Sequence, residues 1–208
     1  VSVLLVATRS AGKRREILDI LGEQPYDVVF PSDLGLVERA AEEHLETAET
    51  FAGNARHKAE YFARQSRQPT AADDSGIEVF GLGGQPGVRS RRFALHHGSP
   101  EAQDAANNAE LLRRLAGAPP AHRRAQYRCV VVYLQTPDAI PVSFDGACLG
   151  SIVEAPRGSG GFGYDPLFLS DELGKTFGEA TAEEKHRVSH RGKAFRALAD
   201  WLAEHPIR

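Results

Sequence analysis

Two short apolar runs near the start of the chain flank an amphipathic segment, and this alternation limits the fold more than any other feature. Val3–Ala7 reads as a buried strand, Gly12–Leu21 as a helix with Ile17, Leu18 and Leu21 on one face, and Tyr26–Phe30 as a second strand. Residues 31–48 are acidic and irregular. Thr50–Gln65 is helical, with Phe51, Ala55, Ala59 and Phe62 at near-four spacing. Pro69–Ala72 and Ile77–Phe80 read as strand pieces on either side of Asp73 and Asp74, and a Gly-Gly-Gln-Pro-Gly turn follows at Gly83. Ser99 and Pro100 start a helix that reaches Leu115. Ala125–Gln135 and Ile140–Phe144 form a hairpin, and Gly150–Glu154 is a further strand. Thr181 and Glu184 make a capping box, and Ser189 caps a last helix reaching Ala203. Early alternation followed by a hairpin predicts a single α/β domain over residues 1–208, with a mixed, elongated sheet flanked by helices.

A chain of 208 residues can bury a good core. Hydrophobic residues at 41% and charged residues at 25% are ordinary for a soluble protein. A net charge of −3 speaks against a large nucleic-acid-binding face, although a nucleotide substrate needs only a local basic cluster. No window approaches the roughly eighteen apolar residues of a membrane-spanning helix. Cys129 and Cys148 make neither a disulfide framework nor a metal spacing and read as small core residues. The expected compartment is the cytoplasm, with no nucleic-acid or membrane partner.

Four stretches carry chemistry. Thr8, Arg9, Ser10, Ala11, Gly12 and Lys13 lead from the first strand into a helix, whose free N–H groups and dipole favour phosphate, with Lys13 adding charge. The GxxxxGK[ST] spacing of a P-loop is absent. Asp73 and Asp74 are neighbours beside a strand, so their carboxylates face opposite sides. One can then point into a cleft while the other makes structural bonds. Gly160 to Pro166 holds three glycines, Phe162, Tyr164 and Asp165, which suits a loop gripping a flat heterocycle through ring faces and a carboxylate acceptor. Finally, Lys185 follows the capping box, and Ser189-His190-Arg191-Gly192 opens the last helix.

In this order, from about Leu4 to Leu202, these stretches strongly resemble the inosine triphosphate pyrophosphatase family, which cleaves non-canonical purine nucleoside triphosphates. The resemblance implies two lobes with a central active-site cleft, a homodimer, and Mg²⁺ as cofactor. It implies hydrolysis of ITP, dITP and XTP to the monophosphate and pyrophosphate, cleansing the nucleotide pool. Asp74 maps to the metal and catalytic acid; it holds the metal or orients its water. Glu46 to Phe51 resembles the family's Glu-Thr-Gly-x-Thr-Phe segment, with Ala48 in place of Gly, and Glu46 is the candidate second metal ligand, with Glu43 behind it. The glutamate that some members use just before this segment is here Leu45. Thr8 to Lys13, Asn54, Lys58, Ser75, Phe162, Gly163, Tyr164, Asp165, Lys185, His190 and Arg191 map to substrate contacts, with Arg191 and Lys185 satisfying a purine O6. The chain departs from the family at Ser10, usually Asn, and at Gly53, often Glu. These departures leave one rival of another class, a nucleotide-binding sensor without catalysis. A Maf-type pyrophosphatase is the enzymatic rival, and the SHRG and GGFGYDP stretches speak against it.

Overall fold

The computed structural model describes residues 2–95 and 98–207. Six strands, β1 (Ser2–Val6), β2 (Tyr26–Val29), β3 (Thr70–Val79), β4 (Arg124–Leu134), β5 (Val142–Ile152) and β6 (Phe168–Ser170), form one sheet in the order β2-β1-β3-β4-β5-β6. The sheet is mixed: β1 runs parallel to both β2 and β3, while β5 and β6 are antiparallel. Among the described residues, five α-helices accompany it: α1 (Ala11–Leu21), α2 (Phe51–Ser66), α3 (Pro100–Arg114), α4 (Ala182–Val188) and α5 (His190–Glu204). Among the described residues, no helix is long and apolar enough to cross a membrane.

The chain divides into two compact units. The first comprises residues 1–74, 129–146 and 191–208, the second residues 75–128 and 147–190. The core of the first unit is built from alternate residues of β1, Leu4 and Val6, with Ile17 and Leu21 of α1 and Phe195, Leu198 and Leu202 of α5. The second has its own core, in which Ile77 and Val79 pack with Leu111, Tyr127, Phe168 and Phe177. Tyr127 stacks on Phe177 and meets Phe168 edge to face.

Helix starts follow local chemistry. The side chains of Ser10, Thr50, Ser99 and Thr181 each accept a backbone N–H of the helix they precede, and Thr181 with Glu184 completes a capping box. Three expectations are corrected. The two strand pieces around Asp73 and Asp74 are one strand, β3, whose polar middle finds partners elsewhere in the chain. The pieces ending at Phe144 and starting at Gly150 are likewise one strand, β5. In α1 the buried face carries Ile17, Leu21 and the charged Glu16, while Leu18 is 42% exposed.

Phe195 is fully buried in the core of the first unit. Phe195→Ala should lower unfolding free energy by about 3–5 kcal/mol, the usual cost of an emptied aromatic site. Urea titration of both chains measures it, and a loss below about 1 kcal/mol, the scale of the extrapolation error, would mean that this core does not depend on the ring.

Candidate active site

Strand register places the first pair of charged groups. Val6 lies opposite Ala71 in the parallel β1–β3 ladder. Two residues further on stand Thr8, past the end of β1 at the entrance to α1, and Asp73 on β3. Lys13, in the first turn of α1, thereby reaches Asp73 with Nζ–Oδ2 at 2.8 Å. The guanidinium of Arg191, at the start of α5, lies 3.5 Å from the same oxygen and donates in close contact to Glu16 of α1. Cys129 Sγ, on β4, is 3.9 Å from Asp73 Oδ2. Burial alone would raise the proton affinity of Asp73, but Lys13, Arg191 and Lys58 outweigh it and hold the carboxyl far below its usual range. The same burial, with Asp73 alongside, pushes the Cys129 thiol well up, so it stays protonated and inert.

Asp74 points to the opposite face of β3 and meets α2 instead. Asn54 Nδ2 donates to Asp74 Oδ2 at 2.9 Å, and Lys58 Nζ lies 3.4 Å from Oδ1. The Lys58 ammonium also donates to Glu46 Oε1 at 2.6 Å. Asn54 and Lys58 are four residues apart and share a helix face, so α2 delivers both to one carboxylate. Burial opposes the charge on Lys58, yet Asp74, Glu46 and Asp73 hold its affinity for protons above the ordinary value. Asp74 moves the other way from Asp73. Burial, reinforced by Glu46, raises its proton affinity more than Lys58, Lys13 and Asn54 lower it. Glu16, Glu46, Asp73 and Asp74 meet Lys13, Lys58 and Arg191 in these pairs.

These carboxylates bear on the expected metal. Among the described residues, no three His, Cys, Asp or Glu side chains form a ready metal centre. Mg²⁺ is commonly held by one or two carboxylates together with substrate phosphates and water. Asp74 and Glu46 both meet one cationic atom, Lys58 Nζ. The pair fits a hard cation.

The remaining expected site residues of the first unit are placed as follows. Thr8 Oγ1 accepts from the Ser10 N–H at 3.3 Å, and Ser10 Oγ caps α1 through the Lys13 N–H. Ser and Asn are equally good N-caps, so the departure at Ser10 preserves the helix start. Ala11 is exposed and Gly12 half-buried at that start. Arg9 turns aside to form a fork with Glu42, at 2.6 and 2.7 Å, and to donate to the Leu36 carbonyl. Asn54, expected at the substrate, is 1% exposed with both ends of its amide bonded to protein. Arg191, expected to read a purine O6, instead directs its guanidinium at Glu16 and Asp73, because two buried carboxylates attract its fork of donors.

In the second unit, Asp165 organises the glycine-rich loop. Its Oδ2 accepts the Phe162 N–H at 2.8 Å and lies in close contact with Lys185 Nζ, and the Tyr127 hydroxyl is 3.4 Å from Oδ1. A Cβ on Gly161 would collide with the Asp165 carboxylate, and its φ of +71° is one that favours glycine. Gly163 is pinned to α3, donating to Asp104 at 2.8 Å and accepting from Asn108 at 3.0 Å. Phe162 is half-buried, and Lys185 Nζ sits 5.1 Å from its ring centre. His190 stacks on Tyr127 with ring centres 4.5 Å apart. Tyr164 was expected as a stacking face; it is 4% exposed within the core, with its hydroxyl on the Ser90 carbonyl. Ser75 lies half-buried on β3.

Glu16 and Cys129 were not expected near the site. Glu16 had a signal, since it stands one residue before Ile17 and four before Ile20, on the apolar side of α1. Nothing local marks Cys129, whose approach to Asp73 depends on strand order.

The chain matches the Ham1 family over residues 4–201. It is 42% identical over 202 residues to a dITP/XTP pyrophosphatase of Yersinia pseudotuberculosis, covering 97% of this chain and 98% of that one. It is 44% identical over 200 residues to a dITP/XTP pyrophosphatase of Ralstonia nicotianae, covering 96% of each. The solved structure of a HAM1 protein from Coxiella burnetii superposes with a TM-score of 0.85 at 30% identity, over 98% of this chain and 100% of that one. With the fold, the paired acids of β3 and the glycine-rich loop all in place, the chain belongs to the Ham1 family.

Proposed function

We propose that this protein hydrolyses non-canonical purine nucleoside triphosphates, ITP, dITP and XTP, to the monophosphate and pyrophosphate. The observation that carries the reading is the pair of adjacent acids on β3, each matched to its own lysine: Asp73 with Lys13, and Asp74 with Lys58 and Glu46. The names of the Yersinia and Ralstonia relatives support the substrate class.

In this reading Lys13 and Lys58 bind the triphosphate and offset the charge that develops on it. Water adds to the α-phosphorus as the bond to the leaving pyrophosphate breaks. Asp74, buried beside Asn54 and Lys58, takes the proton of that water. Asp74 and Glu46 are the residues that would hold Mg²⁺. When bound, the ion supplies charge neutralisation at the phosphates. Asp73 keeps Lys13 oriented and stays ionised throughout. Phe162 offers a ring face to the base, while Asp165 and Lys185 present an acceptor and a donor to its edge. An O6 acceptor then meets Lys185, whereas an adenine amino group would leave a buried donor without an acceptor. The functional unit is a cytoplasmic homodimer.

Three outcomes follow. Purified protein should release monophosphate and pyrophosphate from ITP and XTP with Mg²⁺, far faster than from ATP, and should lose this activity in EDTA. A tight ITP complex with no pyrophosphate formed over hours at several Mg²⁺ concentrations would overturn the reading. Lys13→Ala should weaken ITP by about 10- to 100-fold, the scale of a hydrogen bond to a charged group, and leave inosine affinity nearly unchanged. Calorimetry without Mg²⁺ compares the two, and equal losses would remove Lys13 from the phosphates. Lys185→Ala should lower kcat/KM for ITP about 10- to 100-fold on the same scale and alter ATP turnover much less. A proportional drop for both nucleotides would mean that Lys185 does not read the base.

A further inference from the structure

The buried carboxamide of Asn54 joins two parts of the first unit. Its Oδ1 accepts the Ala48 N–H at 2.8 Å, and its Nδ2 donates to Asp74 Oδ2 at 2.9 Å. A backbone N–H can only donate and a carboxylate can only accept, so the two ends fix the orientation of the amide. Aspartate at this position could serve Ala48 but would set a second carboxylate against Asp74. An apolar residue would leave both partners unsatisfied.

Ala48 stands two residues after Glu46, which holds the Lys58 ammonium. Lys58 in turn reaches Asp74. Asp74, Asn54, the segment from Glu46 to Ala48, and Lys58 therefore close a ring. The amide is the one neutral link across it, and it ties the segment bearing one candidate metal ligand to the other ligand itself. Close approach at Ala48 also needs room. A Cβ on Gly53 would lie 2.7 Å from the Ala48 Cβ and 3.1 Å from Thr50 Oγ1. The Ala48 methyl is fixed to its backbone, so the segment would have to move away. The contact admits a Cβ at 48 or at 53, but not at both.

We propose that Asn54 is a positioning residue that sets the Asp74 carboxylate and the Glu46 segment relative to each other, and that Gly53 provides the clearance this latch requires. Glycine at 53 is then the steric counterpart of alanine at 48 rather than a lost acid. The proposal rests on the role given to Asp74 above.

The test uses Asn54→Ala, Asn54→Asp, Gly53→Glu and the double variant Ala48→Gly/Gly53→Glu, with Asp74→Asn as reference. Each is read by kcat and KM for ITP with Mg²⁺, and by hydrogen exchange at the residue-48 amide without metal or nucleotide. Asn54→Ala should lower kcat about 10- to 100-fold, the scale for residues that orient a metal's ligands, leave KM nearly unchanged and speed exchange at residue 48. Asn54→Asp, nearly isosteric, should keep that amide protected yet lose kcat. Gly53→Glu should lose both protection and kcat, and Ala48→Gly in the same chain should restore them. Wild-type kcat in both Asn54 variants, or a raised KM at unchanged kcat, would overturn the positioning role. Failure of the double variant to recover would overturn the role of Gly53. If Asp74→Asn itself turned over normally, the reading of Asp74 would fall first; an inactive Asp74→Asn beside fully active Asn54 variants would remove this proposal alone.

Discussion

Two carboxylates on consecutive residues of one strand govern this molecule. A strand sends neighbouring side chains to opposite faces, so Asp73 and Asp74 make different direct contacts. Asp73 faces Lys13 and Arg191, and Asp74 faces Asn54 and Lys58. Burying an isolated carboxylate is costly, and each face of β3 answers that cost with a cation brought by a helix. The placement of α1, α2 and α5 around the strand is thus bound to the charge balance of its middle. The outcome differs on the two faces. Cations dominate at Asp73 and keep it ionised, whereas burial and a second acid dominate at Asp74 and raise its affinity for protons. One sequence step separates an acid held ionised from one whose proton affinity is raised.

The same logic explains the buried charges around the pair. Glu16 and Arg191 are 175 positions apart and nearly unexposed, yet they meet in close contact. Neither would be tolerated alone in the core that Ile17 and Phe195 share. Together with Asp73 they form a chain of alternating charge, in which removal of one member exposes the next to an uncompensated partner. In the second unit, Asp165 and Lys185 repeat the arrangement around the glycine-rich loop. There Gly161 lets the carboxylate sit under its own loop, where any side chain would collide with it.

Features with local causes were legible in the sequence. The helix starts at Ser99 and Thr181 follow from capping chemistry within a few residues, and the buried stripe of α2 follows from its spacing. The mixed sheet followed from the order of strand and helix signals. Features with distant causes were misread. The Asp-Asp-Ser-Gly stretch looks like a turn because four polar or flexible residues interrupt an apolar run. It is strand because Lys13, Asn54, Lys58 and Arg191 supply partners that no local window contains. The break expected between Phe144 and Gly150 likewise lies within β5. Glu16 displaced Leu18 from the buried side because Arg191 required an acid. Within the site, the roles of Asn54 and Tyr164 depended on which atoms face them, and spacing could not supply that.

The two neighbouring acids divide the labour, and parallel measurement of stability and turnover in Asp73→Asn and Asp74→Asn tests that division most directly. Asp73→Asn should lose about 3–5 kcal/mol of stability, the scale for breaking a buried ion pair, because Lys13 and Arg191 lose their shared carboxylate. Asp74→Asn should stay folded and bind nucleotide while kcat falls by about 10²- to 10⁴-fold, the range for a proton-accepting group. Equal effects of the two substitutions on both stability and kcat would contradict the account.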